Sequence, residues 1–259
     1  MLDERRMADV TEDAVLGGRL WLRQPKRGHR FGHDAILLAA ACPARAGEHV
    51  VELGAGVGAA GLALAQRIAD IDVTLVEIDF GLAALAAENA RLNGLDSRVK
   101  AVALDAVAPA RAFAAAGLRP ESIARVLMNP PFNDPARQRL SPDRRRRLAH
   151  AAGGSLLPAW IATAARLLRP RGTLTLIWRA DGLADILAAL APAFGAIAVL
   201  PVHPKPDEAA IRVLVRAAKA SRAPLAILPG LTLHDGSGRP TPEAEAVLRT
   251  GAPLLLAQV

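Results

Sequence analysis

The chain has 259 residues, 52% hydrophobic and 22% charged, proportions that support a folded domain with a sizeable core and exclude a largely disordered or collagen-like polypeptide. A single cysteine, Cys42, excludes an intramolecular disulfide and a cysteine-based zinc cluster and points to a reducing compartment, and the absence of tyrosine removes any mechanism that needs a phenol as base or nucleophile. The net charge of +7, carried by 28 Arg and 4 Lys, invites a nucleic-acid partner, although so much arginine beside 56 alanines also fits a base-composition bias acting on codons.

The opening MLDERRMADVTED is charged and lacks an apolar core, which argues against a secretory signal. The most apolar longer stretch, 188–202, is too short to span a bilayer and is broken by Pro192, Gly195 and Pro201. A cytoplasmic protein is expected. Residues 1–46 hold an arginine-rich stretch followed by an apolar, helix-like AILLAAAC. From about His49 to Lys219, β-branched runs alternate with alanine- and leucine-rich stretches of helical length, the pattern of βαβ units around a parallel sheet. The strand candidates are 49–53, 72–77, 98–104, 124–128, 172–178, 196–200 and 210–217. Gly81 to Leu92 reads as a helix closed by Gly94, and Ser155 can cap a helix reaching Leu168. The last two runs are joined by PVHPKPDEA, too short for a crossover helix, so they are expected to be antiparallel neighbours. The fold class predicted is therefore α/β: a seven-stranded, mostly parallel Rossmann-like sheet with the last strand antiparallel and helices on both faces. The tail, 222–259, is rich in proline and glycine and is expected to pack on the domain and wrap the sheet edge.

The first strand run leads into Glu52-Leu53-Gly54-Ala55-Gly56-Val57-Gly58. Glycines let the chain turn tightly and approach a ligand that side chains would block. The spacing also satisfies dinucleotide fingerprints. Glu52 tilts the reading, because a carboxylate repels a pyrophosphate and attracts a cationic methionine-derived ligand carrying ammonium and sulfonium. The alternative is that Glu52 hydrogen-bonds loop amides. Glu77, at the tip of the second run, can accept hydrogen bonds from both ribose hydroxyls of an adenosine-containing cofactor; Asp79 is better suited to cap the following helix. Ile78 can pack on adenine or lie in the core. Asp105 and Ala106, at the end of the third run, can meet the adenine edge, and Asp105 can equally cap a helix.

The fourth run ends in Asn129-Pro130-Pro131-Phe132. Two prolines directly after a strand donate no hydrogen bonds and stiffen the chain. The side-chain oxygen of Asn129 and the carbonyl of Pro130 can converge on one amino group and hold its hydrogens, turning an otherwise delocalised lone pair towards an electrophile. Phe132 can stack on the planar group that carries the amine. A methyl group on sulfonium is an electrophile that needs no metal, and no metal is expected.

With these residues the sequence resembles the class I S-adenosylmethionine-dependent methyltransferases, and within them the amino-methylating group marked by Asp/Asn/Ser-Pro-Pro-aromatic. Glu52 to Gly58, Glu77 to Asp79, Asp105 and Asn129 to Phe132 carry the resemblance in the right order at strand ends. A closer resemblance within that group is to the bacterial tRNA adenine-N6 methyltransferases that act at adenosine 37 of a valine tRNA. Gln24-Pro25-Lys26-Arg27-Gly28-His29-Arg30-Phe31-Gly32-His33-Asp34 to Ala39 is similar to their N-terminal pattern, with His29 where an aromatic tyrosine is common. The resemblance implies S-adenosylmethionine as cofactor, an N-terminal segment lying over it, and tRNA as substrate.

Beyond the motif, Arg137, Arg139, Arg144, Arg145, Arg146 and Arg147 face only Asp134 and Asp143 within 133–150. This places more than half the net charge beside the expected target pocket and, with Lys26, Arg27 and Arg30, makes an RNA-binding surface. A solvated face is the simpler account of such a run. His150 is assigned no role. The expected organisation is a basic extension (1–46) covering the cofactor, a catalytic domain (47–221) and a C-terminal extension (222–259), with no obligate protein partner. Guanine N2 of ribosomal RNA and the glutamine amide of a protein are alternative acceptors, since Asn-Pro-Pro-aromatic suits all three. A Rossmann dehydrogenase leaves the Asn-Pro-Pro-Phe site unexplained, and a non-catalytic RNA-binding protein on the same fold leaves its intact motifs unexplained.

Overall fold

The computed structural model describes residues 10–27, 30–131 and 156–258. The chain opens with a hairpin of β1 (Val10–Val15) and β2 (Leu20–Pro25). Leu20, Leu22 and Gln24 face inward and are almost fully buried, while Trp21 on the other face is exposed. The apolar run beyond it forms α1 (His33–Ala41), which is buried from Ile36 to Ala41.

The main sheet follows from β-branched runs whose alternate side chains serve opposite faces. It comprises β3 (His49–Leu53), β4 (Asp72–Glu77), β5 (Val99–Ala103), β6 (Ile123–Met128), β7 (Leu168–Arg179), β8 (Phe194–His203) and β9 (Arg212–Lys219). Two short tail strands, β10 (Ala226–Ile227) and β11 (Leu231–Thr232), complete it. The order is β10-β8-β9-β7-β6-β3-β4-β5, with β11 also on β8. The strands β3 to β7 are mutually parallel, and β9 runs antiparallel to both β7 and β8. The short β8–β9 connection thus makes the antiparallel pair it demands. The sheet has nine strands, two more than the seven read from sequence. Two-residue strands carry no periodicity to recognise, and they form because β8 offers an unpaired edge that the tail covers.

Helices α2 (Ala59–Arg67), α3 (Phe80–Leu92), α4 (Ala110–Ala115), α5 (Leu156–Leu167), α6 (Leu183–Leu190) and α7 (Pro242–Thr250) are the other α-helices among the described residues. Val50 and Leu75 belong to one apolar cluster with residues of α1, α2, α3 and α7. Their neighbours Val51 and Val76 belong to a second, with Phe113 of α4 and residues of α5 and α6. The sheet is therefore covered on both faces, as near-continuous apolar strands require. Helix α5 ends at Leu167, one residue short of the expected end, and β7 begins at once at Leu168. Among the described residues no helix is long and apolar enough to cross a membrane, and no group of three or more His, Cys, Asp and Glu side chains is placed to hold a metal.

Candidate active site

In open parallel sheets, ligands sit beyond the carboxyl ends of the strands where the connections reverse direction. Here that point is β3, flanked by β4 on one side and β6 on the other. Leu53 lies in register with Val76 of β4 and with Met128 of β6. The next residues, Gly54, Glu77 and Asn129, therefore form a row along the sheet edge, and Glu77 pairs with Ala103 of β5, just before Asp105. At ~4.8 Å between strands, the row from Asp105 to Asn129 spans about 14 Å.

The glycine loop is built by backbone bonds. The amides of Gly54 and Ala55 both donate to the Val76 carbonyl, at 2.8 and 3.0 Å. Gly54, Gly56 and Gly58 all adopt positive φ (70°, 56° and 86°), a region that costs an L-residue about 1–2 kcal/mol. A Cβ at Gly54 would fall 2.7 Å from Cζ3 of Trp160 and closer still to its Cη2, whereas one at Gly56 would meet nothing within 4 Å. Gly54 is thus needed for packing under the loop, and Gly56 keeps open the space above it.

The two glutamates differ in role. The Glu77 carboxylate accepts from the amides of Gly56 (2.8 Å) and Asp79 (2.9 Å), which fixes it at the strand tip with lone pairs to spare. Glu52 is 4% exposed and accepts from the Gly61 amide at 2.7 Å. Gly61 lies in the first turn of α2, whose N-cap, Gly58, has no side chain, so Glu52 satisfies an amide that would otherwise lack a partner. Burial pushes its carboxyl up to about 8, against the pull of the Gly61 hydrogen bond and with a further push from Glu77. Glu52 thus bonds a backbone amide, one at the start of α2 and not in the glycine loop itself.

Asp79 caps α3, accepting from Gly81 and Leu82 at 2.8 and 3.0 Å. Ile78 is 52% exposed, which disposes of the core alternative. Asp105 accepts from the Val107 amide at 2.9 Å and shapes the turn before α4, whose N-cap is Pro109; Ala106 is buried. Asn129 is half-buried and Pro130 buried. Among the described residues no hydrogen bond engages the Asn129 amide, in contrast to Asn89 and Asn93. Arg30 pairs with Asp13 (3.0 Å), and Lys26 and Arg27 are exposed beyond β2. Asp34 pairs with Arg212 of β9 at 2.9 Å, which seats α1 against the sheet. His29, Phe132, Arg137, Arg139, Arg144, Arg145, Arg146, Arg147 and the capping Ser155 lie outside the described residues.

Two supporting residues escaped the sequence reading. Trp160, in α5, covers Gly54 from a distant part of the chain, and nothing local marks it. Asn89 of α3 is fully buried. Its Nδ2 donates to the carbonyls of Arg23 and Val57, both at 3.0 Å, and its Oδ1 accepts from the Arg23 amide at 2.7 Å. Asn93, one turn on, makes the matching pair with Trp21, at 2.8 and 2.7 Å. A helical i,i+4 step of ~6 Å nearly matches the ~6.8 Å between alternate strand residues, so the two asparagines substitute for a neighbouring strand and tie the hairpin to the glycine loop. A lone Asn on an alanine face of AAENARL was the available signal.

An adenosine-bearing methyl donor fits this row: the space over Gly56 is open, Glu77 presents an anchored carboxylate, and Ile78 offers an exposed apolar surface. Residues 30–204 match the methyltransferase small domain family. The chain is 30% identical over 173 residues to the tRNA1(Val) (adenine(37)-N6)-methyltransferase of Tolumonas auensis, covering 66% of this chain and 68% of that protein. It is 32% identical to the enzyme of the same name from Porphyromonas gingivalis, over 61% of each chain. A crystal structure of an Agrobacterium tumefaciens protein described as a predicted O-methyltransferase superimposes with a TM-score of 0.73 at 33% identity, covering 85% of this chain and 98% of that one. The chain is a member of the methyltransferase small domain family, an S-adenosylmethionine-dependent methyltransferase.

Proposed function

We propose that this enzyme methylates an exocyclic base amine in RNA, adenine N6 of a tRNA, with position 37 of a valine tRNA as the target suggested by its relatives' names. The observation that carries the reading is Asn129, one step past the Leu53–Met128 pair and so beside Gly54, with its amide not engaged among the described residues. When bound, S-adenosylmethionine supplies a methyl group on sulfonium. Glu77 would accept hydrogen bonds from the ribose hydroxyls, Ile78, Asp105 and Ala106 would border the adenine, and the loop of Gly54, Gly56 and Gly58 would border the methionine end, with open space over Gly56. Glu52 acts from beneath the loop by holding the start of α2. Asn129 and the Pro130 carbonyl accept the two hydrogens of the target amine, and Phe132 stacks on its ring. Alignment of this kind is worth about 7–11 kcal/mol of barrier, and the proton of the methylated product leaves to water, so no protein base is required.

Lys26, Arg27, Arg30 and the arginines of 133–150 take the RNA backbone in this reading. Residues 1–46 cover the cofactor side, 47–221 form the catalytic domain and 222–259 brace the sheet edge, in an enzyme that works in the cytoplasm without metal. Asn129→Ala should keep cofactor affinity and lose about a hundredfold in methyl transfer, the scale of removing one preorganised hydrogen-bonding group; a loss well under tenfold refutes the role. Mass spectrometry of nucleosides from cells with and without the gene identifies the acceptor. Loss of N6-methyladenosine from tRNA is expected, whereas loss of N2-methylguanosine from ribosomal RNA or of a methylated glutamine overturns the reading.

A further inference from the structure

The outer face of the N-terminal hairpin carries a feature that the methyl-transfer site does not use. Of the three tryptophans, Trp160 and Trp178 are buried at 8% and 9% exposure, whereas Trp21 is 44% exposed. Its cross-strand partner is Ala14, itself exposed and too small to cover an indole. The backbone beneath the ring is held at both polar groups by Asn93. An uncovered aromatic on a pinned strand is a platform.

Its surroundings are basic. Arg23 shares the parity of Trp21 along β2, Arg19 lies in the turn just before the strand with its guanidinium donating to the carbonyls of Leu16 (3.2 Å) and Arg249 (3.3 Å), and Lys26 and Arg27 follow where β2 ends. The two acidic residues of the hairpin are already engaged, Glu12 by Arg23 at 2.9 Å and Asp13 by Arg30 at 3.0 Å. No carboxylate pairs with Arg19 or Arg27 among the described residues. The strip leads to the active site: Arg23 is bonded to Asn89, which also holds Val57 of the glycine loop.

We infer that this face is an RNA track, in which Trp21 stacks an unpaired base of the substrate and Arg19, Arg23 and Arg27 follow its phosphates. The inference rests on the RNA reading proposed above and adds a stacking residue on the N-terminal hairpin, separate from the Asn-Pro-Pro motif. Stacking is sequence-tolerant and suits a single-stranded or loop segment, and the arginines supply its salt-dependent affinity.

The test uses the full-length enzyme, cofactor and a transcribed tRNA. Titrating tRNA into the wild type should quench the exposed tryptophan emission, and Trp21→Phe should abolish that quench while leaving KM for tRNA within about threefold. Trp21→Ala should raise KM for tRNA by about tenfold, with kcat and cofactor affinity unchanged, which separates loss of a contact from loss of fold. Arg19→Ala with Arg27→Ala should flatten the salt dependence of tRNA binding by about two in slope. A Trp21→Ala enzyme with wild-type KM, or a quench that survives Trp21→Phe, overturns the track alone. A wild type that neither binds nor methylates tRNA overturns the parent reading and the track with it.

Discussion

Replacing Asn89 by alanine tests how the N-terminal hairpin is joined to the cofactor loop. The side chain is fully buried and uses one acceptor and two donors, at 2.7, 3.0 and 3.0 Å. Truncation strands the buried Val57 carbonyl, at about 1–3 kcal/mol, and removes two bonds to the partly accessible Arg23 backbone, at about 0.5–1.5 kcal/mol each. The expected loss is about 3 kcal/mol, or roughly 6–12 °C in Tm for a chain of this size. Asn89→Asp should be worse than alanine, because it keeps the acceptor, loses both donors and sets a charge against two carbonyls. Asn93→Ala, whose bonds to Trp21 are solvent-exposed, should cost about 1 kcal/mol or less. Calorimetry gives the ranking, and amide hydrogen exchange localises it, with faster exchange expected at Arg23 and Trp21. An Asn89→Ala protein whose Tm falls by less than about 3 °C with hairpin protection intact would refute the clamp.

Other outcomes follow from the loop. Glu52 has a folded-state pKa of about 8 against an ordinary 4.5. A raised pKa means its stabilising contribution is complete below 4.5 and is lost as pH rises to 8, at up to ~1.4 kcal/mol per pH unit. Glu52→Gln should abolish that decline, so its stability relative to wild type should grow across this window and level off above it; parallel curves from pH 5 to 8 would contradict the buried, protonated carboxyl. Gly56→Ala should cost only about 1–2 kcal/mol of stability yet remove most cofactor binding, since its methyl enters open space over the loop. Gly54→Ala meets the Trp160 ring as well and should cost about 3 kcal/mol or more. Equal Tm losses for the two glycine variants would show that they do not do different jobs.

Local chemistry decided much of this protein in advance. Alternating β-branched and alanine-rich runs are covered as a doubly wound sheet, and the short β8–β9 connection cannot cross over, so fold class and the antiparallel β8–β9 pairing were legible. The same holds for the glycine loop, the carboxylate at Glu77, the Asp79 cap and Asn129, because each depends on position relative to a strand end. What stayed hidden depends on residues distant in sequence. The choice between attraction to a cation and amide capping for Glu52 turns on where the Gly61 amide lies. The need for glycine at position 54 comes from Trp160 more than a hundred positions later, and Asn89 matters because the hairpin lies against its helix. Short strands β10 and β11 exist only because β8 leaves an edge to cover. Backbone preference and hydrophobic period are properties of a segment, whereas burial and hydrogen-bond partners arise when segments meet.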